Sequence, residues 1–145
     1  MKILFLNPPD LNKVNEYVLE EHSKDYIGSE DFGAFPPLGL LYVMAYLEKK
    51  APHHKFYFKD CVAERVGHRE LNNYVAEIKP DIVAVTSFTV SMVDVVIAAR
   101  SIRKILPNVH LCLGGHHPIA FPFEAASLPE FDSIVVGEGE NAFTE

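Results

Sequence analysis

The stretch Asp81-Ile82-Val83-Ala84-Val85-Thr86-Ser87 decides the reading of the fold. Its apolar run is near-continuous and short, which suits a strand covered on both faces. Pro80 precedes it and ends an amphipathic helix predicted over Arg69 to Lys79. Behind it, Ser91 to Leu106 reads as a long helix ended by Pro107. Ser91 with Asp94 three residues on has the character of a capping box. Asp94, Arg100, Ser101, Arg103 and Lys104 make up the polar side of that helix.

The same alternation continues in both directions. Towards the C-terminus, Val109 to Leu113 is a strand, Pro122 to Leu128 a short helix and Asp132 to Val136 a fifth strand. Towards the N-terminus, His54 to Asp60 is a strand. The run Leu38 to Glu48, opened by Pro36-Pro37, is apolar on most sides and predicts a largely buried helix. Lys2 to Asn7 is the first strand, stopped by Pro8-Pro9. Asp10 to Phe35 reads either as a disordered excursion or as a lid over the sheet edge. Strands alternating with helices predict an α/β fold. The expectation is a Rossmann-like or flavodoxin-like five-stranded parallel sheet, order 2-1-3-4-5, with helices on both faces. Ligands of such sheets bind outside the carboxyl ends of the strands, where the strand order reverses.

Composition narrows the function. The 145 residues suit one domain, and 48% hydrophobic with 23% charged residues exclude a disordered chain, a collagen or a coiled coil. With 13 basic and 20 acidic residues the net charge is −7, which argues against a nucleic-acid partner. No Lys or Arg follows Lys104, so an anion bound at that end must rely on backbone N–H groups. Cys61 and Cys112 match neither a disulfide framework nor a metal spacing; they read as buried thiols in a reducing cytoplasm. No signal peptide is visible, and no apolar run approaches the ~18 residues of a membrane span.

The segments after the strands hold the candidate residues. Thr86, Ser87, Thr89 and Ser91 place four hydroxyls in six residues at a helix start. Some cap the helix, and the remainder are available to a ligand. Gly114-Gly115 allows close backbone approach to a bulky ligand. His116 and His117 are adjacent and lack a third partner, so a zinc site is disfavoured and one of them lining a pocket is preferred. Gly137-Glu138-Gly139-Glu140 combines two glycines with two carboxylates, which also suit a helix start.

Several enzyme classes drop out. No G-x-G-x-x-G follows the first strand and no Walker A sequence occurs. A phospho-receiver needs an Asp at the end of the third strand, where Ser87 stands. Asn7-Pro8-Pro9-Asp10 is not a flavodoxin phosphate loop. No catalytic triad or nucleophile elbow is present. The reading predicts no catalytic residue and no metal ligand in this domain.

Five motifs in order carry a resemblance: N-P-P at 7–9, P-P-L-G-L-L-Y-V-M-A-Y-L-E at 36–48, P-D-I-V-A-V-T-S at 80–87, L-G-G-H-H-P at 113–118 and V-G-E-G-E at 136–140. Together they resemble the cobalamin (vitamin B12)-binding domain at the N-terminus of radical SAM proteins, in the group of the anaerobic magnesium-protoporphyrin IX monomethyl ester cyclase. The resemblance spans nearly the whole chain. It implies a corrinoid held over the carboxyl ends of the strands, with its nucleotide tail in a groove beside the sheet. It assigns Ser87 and Thr89 to the tail, lines that tail with Gly114, Gly115 and His116, and sets Gly137 and Glu138 near the tail or the corrin edge. Pro9 and Gly139 complete the expected cofactor-binding set.

One departure is plain. The cobalt-ligating motif D-x-H-x-x-G would follow the first strand. Here Asp10 is followed by Asn12 in place of the His and Asn15 in place of the Gly. No histidine ligand is expected from that motif. The C-x-x-x-C-x-x-C motif of a radical SAM domain is absent as well. S-adenosylmethionine and a 4Fe-4S cluster are therefore expected only in a downstream domain of the same chain, which also takes the small-molecule substrate. Residues 1–145 are read as the N-terminal piece of that longer enzyme. The rival reading is a structural domain that keeps the fold and binds no cobalamin.

Overall fold

The computed structural model describes residues 1–11 and 35–143. The segment read as an excursion or lid lies mostly outside them, as do Asn12 and Asn15. The chain runs β1 (Lys2–Asn7), α1 (Leu38–Lys50), β2 (Lys55–Asp60), α2 (His68–Ile78), β3 (Ile82–Ser87), a single 3₁₀ turn (Thr89–Ser91) and α3 (Met92–Ile105). It continues through β4 (His110–Gly115), α4 (His116–Ala120), α5 (Pro122–Ser127), β5 (Ser133–Ile134) and α6 (Gly139–Ala142).

The five strands form one parallel sheet in the order β2-β1-β3-β4-β5, as expected. Strand β1 is an inner strand, with Leu4 facing Tyr57 of β2 on one side and Val83 of the central β3 on the other. The β3–β4 register carries Ile82 opposite His110 through to Ser87 opposite Gly115. Alternate residues feed opposite faces. Leu4, Leu6, Val83, Val85, Leu111 and Leu113 pack with Leu71 and Val75 of α2 and with Val95, Ala98, Ala99 and Ile102 of α3. Those α3 positions fall at helical spacing, so one stripe is apolar throughout. The opposite face is thinner: Ile3, Phe5, Ala84 and Leu47 form its buried cluster, flanked by Phe143.

Prolines set the helix ends. Helix α2 stops at Lys79, in the left-handed region (φ 49°) just before Pro80, and α3 stops at Leu106 before Pro107. The residue before a proline is pushed out of the helical region.

The differences from the sequence reading have physical causes. Strand β4 runs on through Gly114 and Gly115, because both pair with β3. Strand β5 is only two residues long. Helix α4 was not anticipated; Pro118 sits in its first turn, where no N–H is required of it. Helix α1 is not largely buried: Leu47 is its one buried residue, while Leu38 and Tyr42 lie open. Asp94 is not on the polar side of α3 and completes no capping box. It is fully buried, accepts a hydrogen bond from Leu11 N (2.8 Å) and pairs with His68 Nε2 at 2.7 Å.

Candidate functional site

The carboxyl ends of the strands are shaped by backbone demands. Gly115 ends β4 at φ 95°, ψ −162°, a region open essentially to glycine alone. A Cβ there would lie 2.6 Å from both Ser87 N and Ser87 O and 2.8 Å from Thr86 Oγ1. The position has no room for any side chain, so backbone forms the surface at this point.

Polar side chains beside it hold the backbone in place. Ser87, 1% exposed, donates its hydroxyl to Gly114 O at 2.8 Å. Ser91 Oγ accepts from Phe88 N (3.2 Å) and donates to Phe88 O (3.0 Å). Thr89 Oγ1 faces Nδ1 of the buried His117 at 3.3 Å. At the other side, Asp60 Oδ1 accepts from Asn7 Nδ2 (2.9 Å) and from the N–H groups of Val62 and Ala63 (3.1 and 3.0 Å). This ties the end of β1 to the end of β2 and fixes the turn that follows.

Above these ends lies a cavity of about 1510 Å³. It spans all five strand ends, from Asn7 and Pro8 across Cys61, Thr86 and Gly115 to Val135, and is closed on one side by Phe35 to Val43. Drug-sized pockets occupy roughly 300–1,000 Å³, so the space suits a larger ligand. Its two cysteines are not reactive thiolates. Burial pushes the Cys61 thiol up to about 12 and raises that of Cys112. Among the described residues no group of three or more His, Cys, Asp or Glu is placed to hold a metal ion.

Of the nine residues singled out from sequence, six line the cavity: Gly114, Gly115, His116, Gly137, Glu138 and Gly139. Gly139 is also a packing residue, since a Cβ there would meet Val43 Cγ2 of α1 at 2.8 Å. Ser87, Thr89 and Pro9 are not among the lining residues; the first two hold turns, and Pro9 is buried. The reading from sequence overlooked Phe88 and Arg65. Phe88 stacks on His116 with ring centroids 4.6 Å apart at 13°. Arg65 stands in the left-handed region (φ 54°) and is the one Lys or Arg lining the cavity among the described residues. Neither had a motif to mark it.

A parallel doubly wound sheet with a large cavity at its switch point defines an α/β domain of the kind whose ligands bind outside the carboxyl ends of the strands. The comparisons with known proteins make the class specific. The model of the B12 binding domain matches residues 27–145, and the chain belongs to that family. It is 34% identical over 114 residues to the anaerobic magnesium-protoporphyrin IX monomethyl ester cyclase of Cereibacter sphaeroides, covering 78% of this chain and 18% of the relative. It is 30% identical over 146 residues to an uncharacterized methyltransferase of Pyrococcus horikoshii, covering 100% of this chain and 28% of the relative. The chain thus spans under a third of the length of these relatives. No helix among the described residues is long and apolar enough to cross a membrane.

Proposed function

We propose that this chain binds cobalamin across the carboxyl ends of its strands and presents it to a radical SAM domain in the same polypeptide. That domain would carry S-adenosylmethionine and a 4Fe-4S cluster and act on a small-molecule substrate in tetrapyrrole cyclase or methyl-transfer chemistry. The observation that carries the reading is the cavity itself. It is large, runs across the ends of β1 and β3, and is floored at Gly115 by backbone packed too closely on Ser87 to admit a Cβ.

The residues present fit the group. Gly114, Gly115 and His116 on one side and Gly137, Glu138 and Gly139 on the other would hold it, with backbone N–H and C=O groups facing its amides. Ser87 and Thr89 would act from behind, through the turns they fix, and Pro9 through the chain direction after β1. A bound corrinoid supplies methyl or radical transfer at cobalt; the protein supplies binding and orientation. No ligating histidine is expected at position 12, which is Asn.

The test is equilibrium dialysis of the purified chain against hydroxocobalamin, with visible spectra of the bound fraction. Saturable uptake with a shifted spectrum lacking the signature of histidine ligation is the expected result. No uptake at saturating ligand would favour a structural domain without cofactor.

A further inference from the structure

We propose that Arg65 anchors a carboxylate of the small-molecule substrate, at the β2 edge of the cavity and away from the ends of β3 and β4. This names a substrate class for the site proposed above and rests on that reading. The turn that carries Arg65 is tightly hydrogen-bonded. Asp60 Oδ1 accepts from Val62 N (3.1 Å) and Ala63 N (3.0 Å). Glu64 N donates to Asp60 O (3.1 Å), Arg65 N to Val62 O (3.2 Å) and Val66 N to Cys61 O (2.8 Å). These bonds hold Arg65 at φ 54°, a conformation uncommon for a long side chain and one that clusters at ligand clamps.

The turn leaves the guanidinium to a ligand. The neighbouring carboxylate, Glu64, is taken by Lys59 Nζ. Arg65 itself is exposed and makes no side-chain ion pair among the described residues. Asp10, Glu138 and Glu140 also line the cavity and repel an anion, so Arg65 is where one gains. Its surroundings are apolar. Val62, Val66 and Leu11 line the cavity with it, and a Cβ on Gly67 would lie 3.9 Å from Leu11 Cδ1. A planar guanidinium on an apolar rim suits a carboxylate carried by an apolar body, held by two parallel hydrogen bonds. The corrinoid does not supply this anion. Its arms are neutral amides, and its one phosphate belongs to the tail at the ends of β3 and β4. Strand β2 lies two strand spacings from β3 and three from β4, roughly 10–14 Å.

The experiment titrates the chain with phenylacetate and with its neutral counterpart phenylacetamide, followed by NMR, with and without saturating hydroxocobalamin. Wild type should prefer the acid about tenfold or more, because the amide loses a charge-assisted pair. Arg65→Gln should remove that preference and Arg65→Lys keep part of it, while hydroxocobalamin affinity stays within about twofold in both. Arg65→Gly should lose the preference and melt no lower than wild type, because glycine is at ease at φ 54°. Equal binding of acid and amide, no binding of either, or a preference that survives Arg65→Gln would overturn the proposal while leaving the corrinoid reading intact. A clear drop in melting temperature in Arg65→Gly would assign the side chain to packing and overturn it as well. So would a large loss of hydroxocobalamin affinity in Arg65→Gln, since the guanidinium would then serve the cofactor. Wild type that takes up no hydroxocobalamin would overturn the corrinoid reading, and this assignment with it.

Discussion

The two ends of the sheet solve opposite problems. At the amino end, carboxylates close the strand starts. Asp81 Oδ2 accepts from Lys2 N at 2.7 Å, and Asp132 Oδ2 accepts from Leu111 N at 2.7 Å and from Arg103 Nη2 at 2.6 Å. Every one of these charges faces an amide or a guanidinium. At the carboxyl end the Ser87 hydroxyl ties β3 to β4, Ser91 closes its own turn, and the Asp60 carboxylate ties β1 to the turn after β2, all of them below the cavity. The lesson is that polar residues of similar appearance in the sequence stabilise one end and shape a cavity at the other.

Substitutions at the two ends can break or sharpen that contrast. The largest effect is expected from Gly115→Ala. Strain at a glycine-only conformation plus a 2.6 Å clash should cost about 3 kcal/mol or more and abolish cobalamin uptake. Thermal melting and dialysis read both; a stable variant that still binds would show that the glycine floor is dispensable. Next is Asp94→Ala. It strips partners from His68 and from Leu11 N beneath the cavity rim and should cost about 2–3 kcal/mol by denaturant unfolding.

Ser87→Ala is a finer probe. Losing its bond to Gly114 O should cost about 1 kcal/mol and leave cobalamin affinity within about twofold. A large affinity loss at unchanged stability would instead mean that the hydroxyl reaches the ligand. The smallest effect belongs to the amino end. Asp132→Asn should cost under about 1 kcal/mol, because the pair with Arg103 is solvent-accessible, and should not touch ligand binding. Burial pushes the Asp132 carboxyl up, but the Leu111 N–H and Arg103 outweigh it and hold it below its usual 3.8. A folded value below the unfolded one stabilises above pH ~4 and fades as pH falls through the folded value. Unfolding curves of wild type and Asp132→Asn should therefore converge in acid.

The layered order was legible because it depends on local pattern: Ile82–Ser87 and its neighbours are apolar runs of strand length, and Pro80 and Pro107 punctuate the helices between them. Glycines at 114, 115, 137 and 139 were legible as cavity residues for a similar reason, since few other roles call for them at strand ends. The rest depended on partners distant in sequence. Asp94 looked like a helix-start carboxylate until His68 and Leu11 closed on it. The hydroxyls of Ser87 and Thr89 looked free because Gly114 and His117 lie 27 and 28 residues away. Phe88 could be counted as core until the fold turned it outward.

The central claim is that the carboxyl end, not the amino end, receives the corrinoid. Crystals of the chain grown with hydroxocobalamin and measured at the cobalt absorption edge test it directly. The account predicts one anomalous peak in the cavity above Gly115 and the ends of β1 and β3. A cobalt peak elsewhere on the molecule, or none at full ligand saturation, would contradict it.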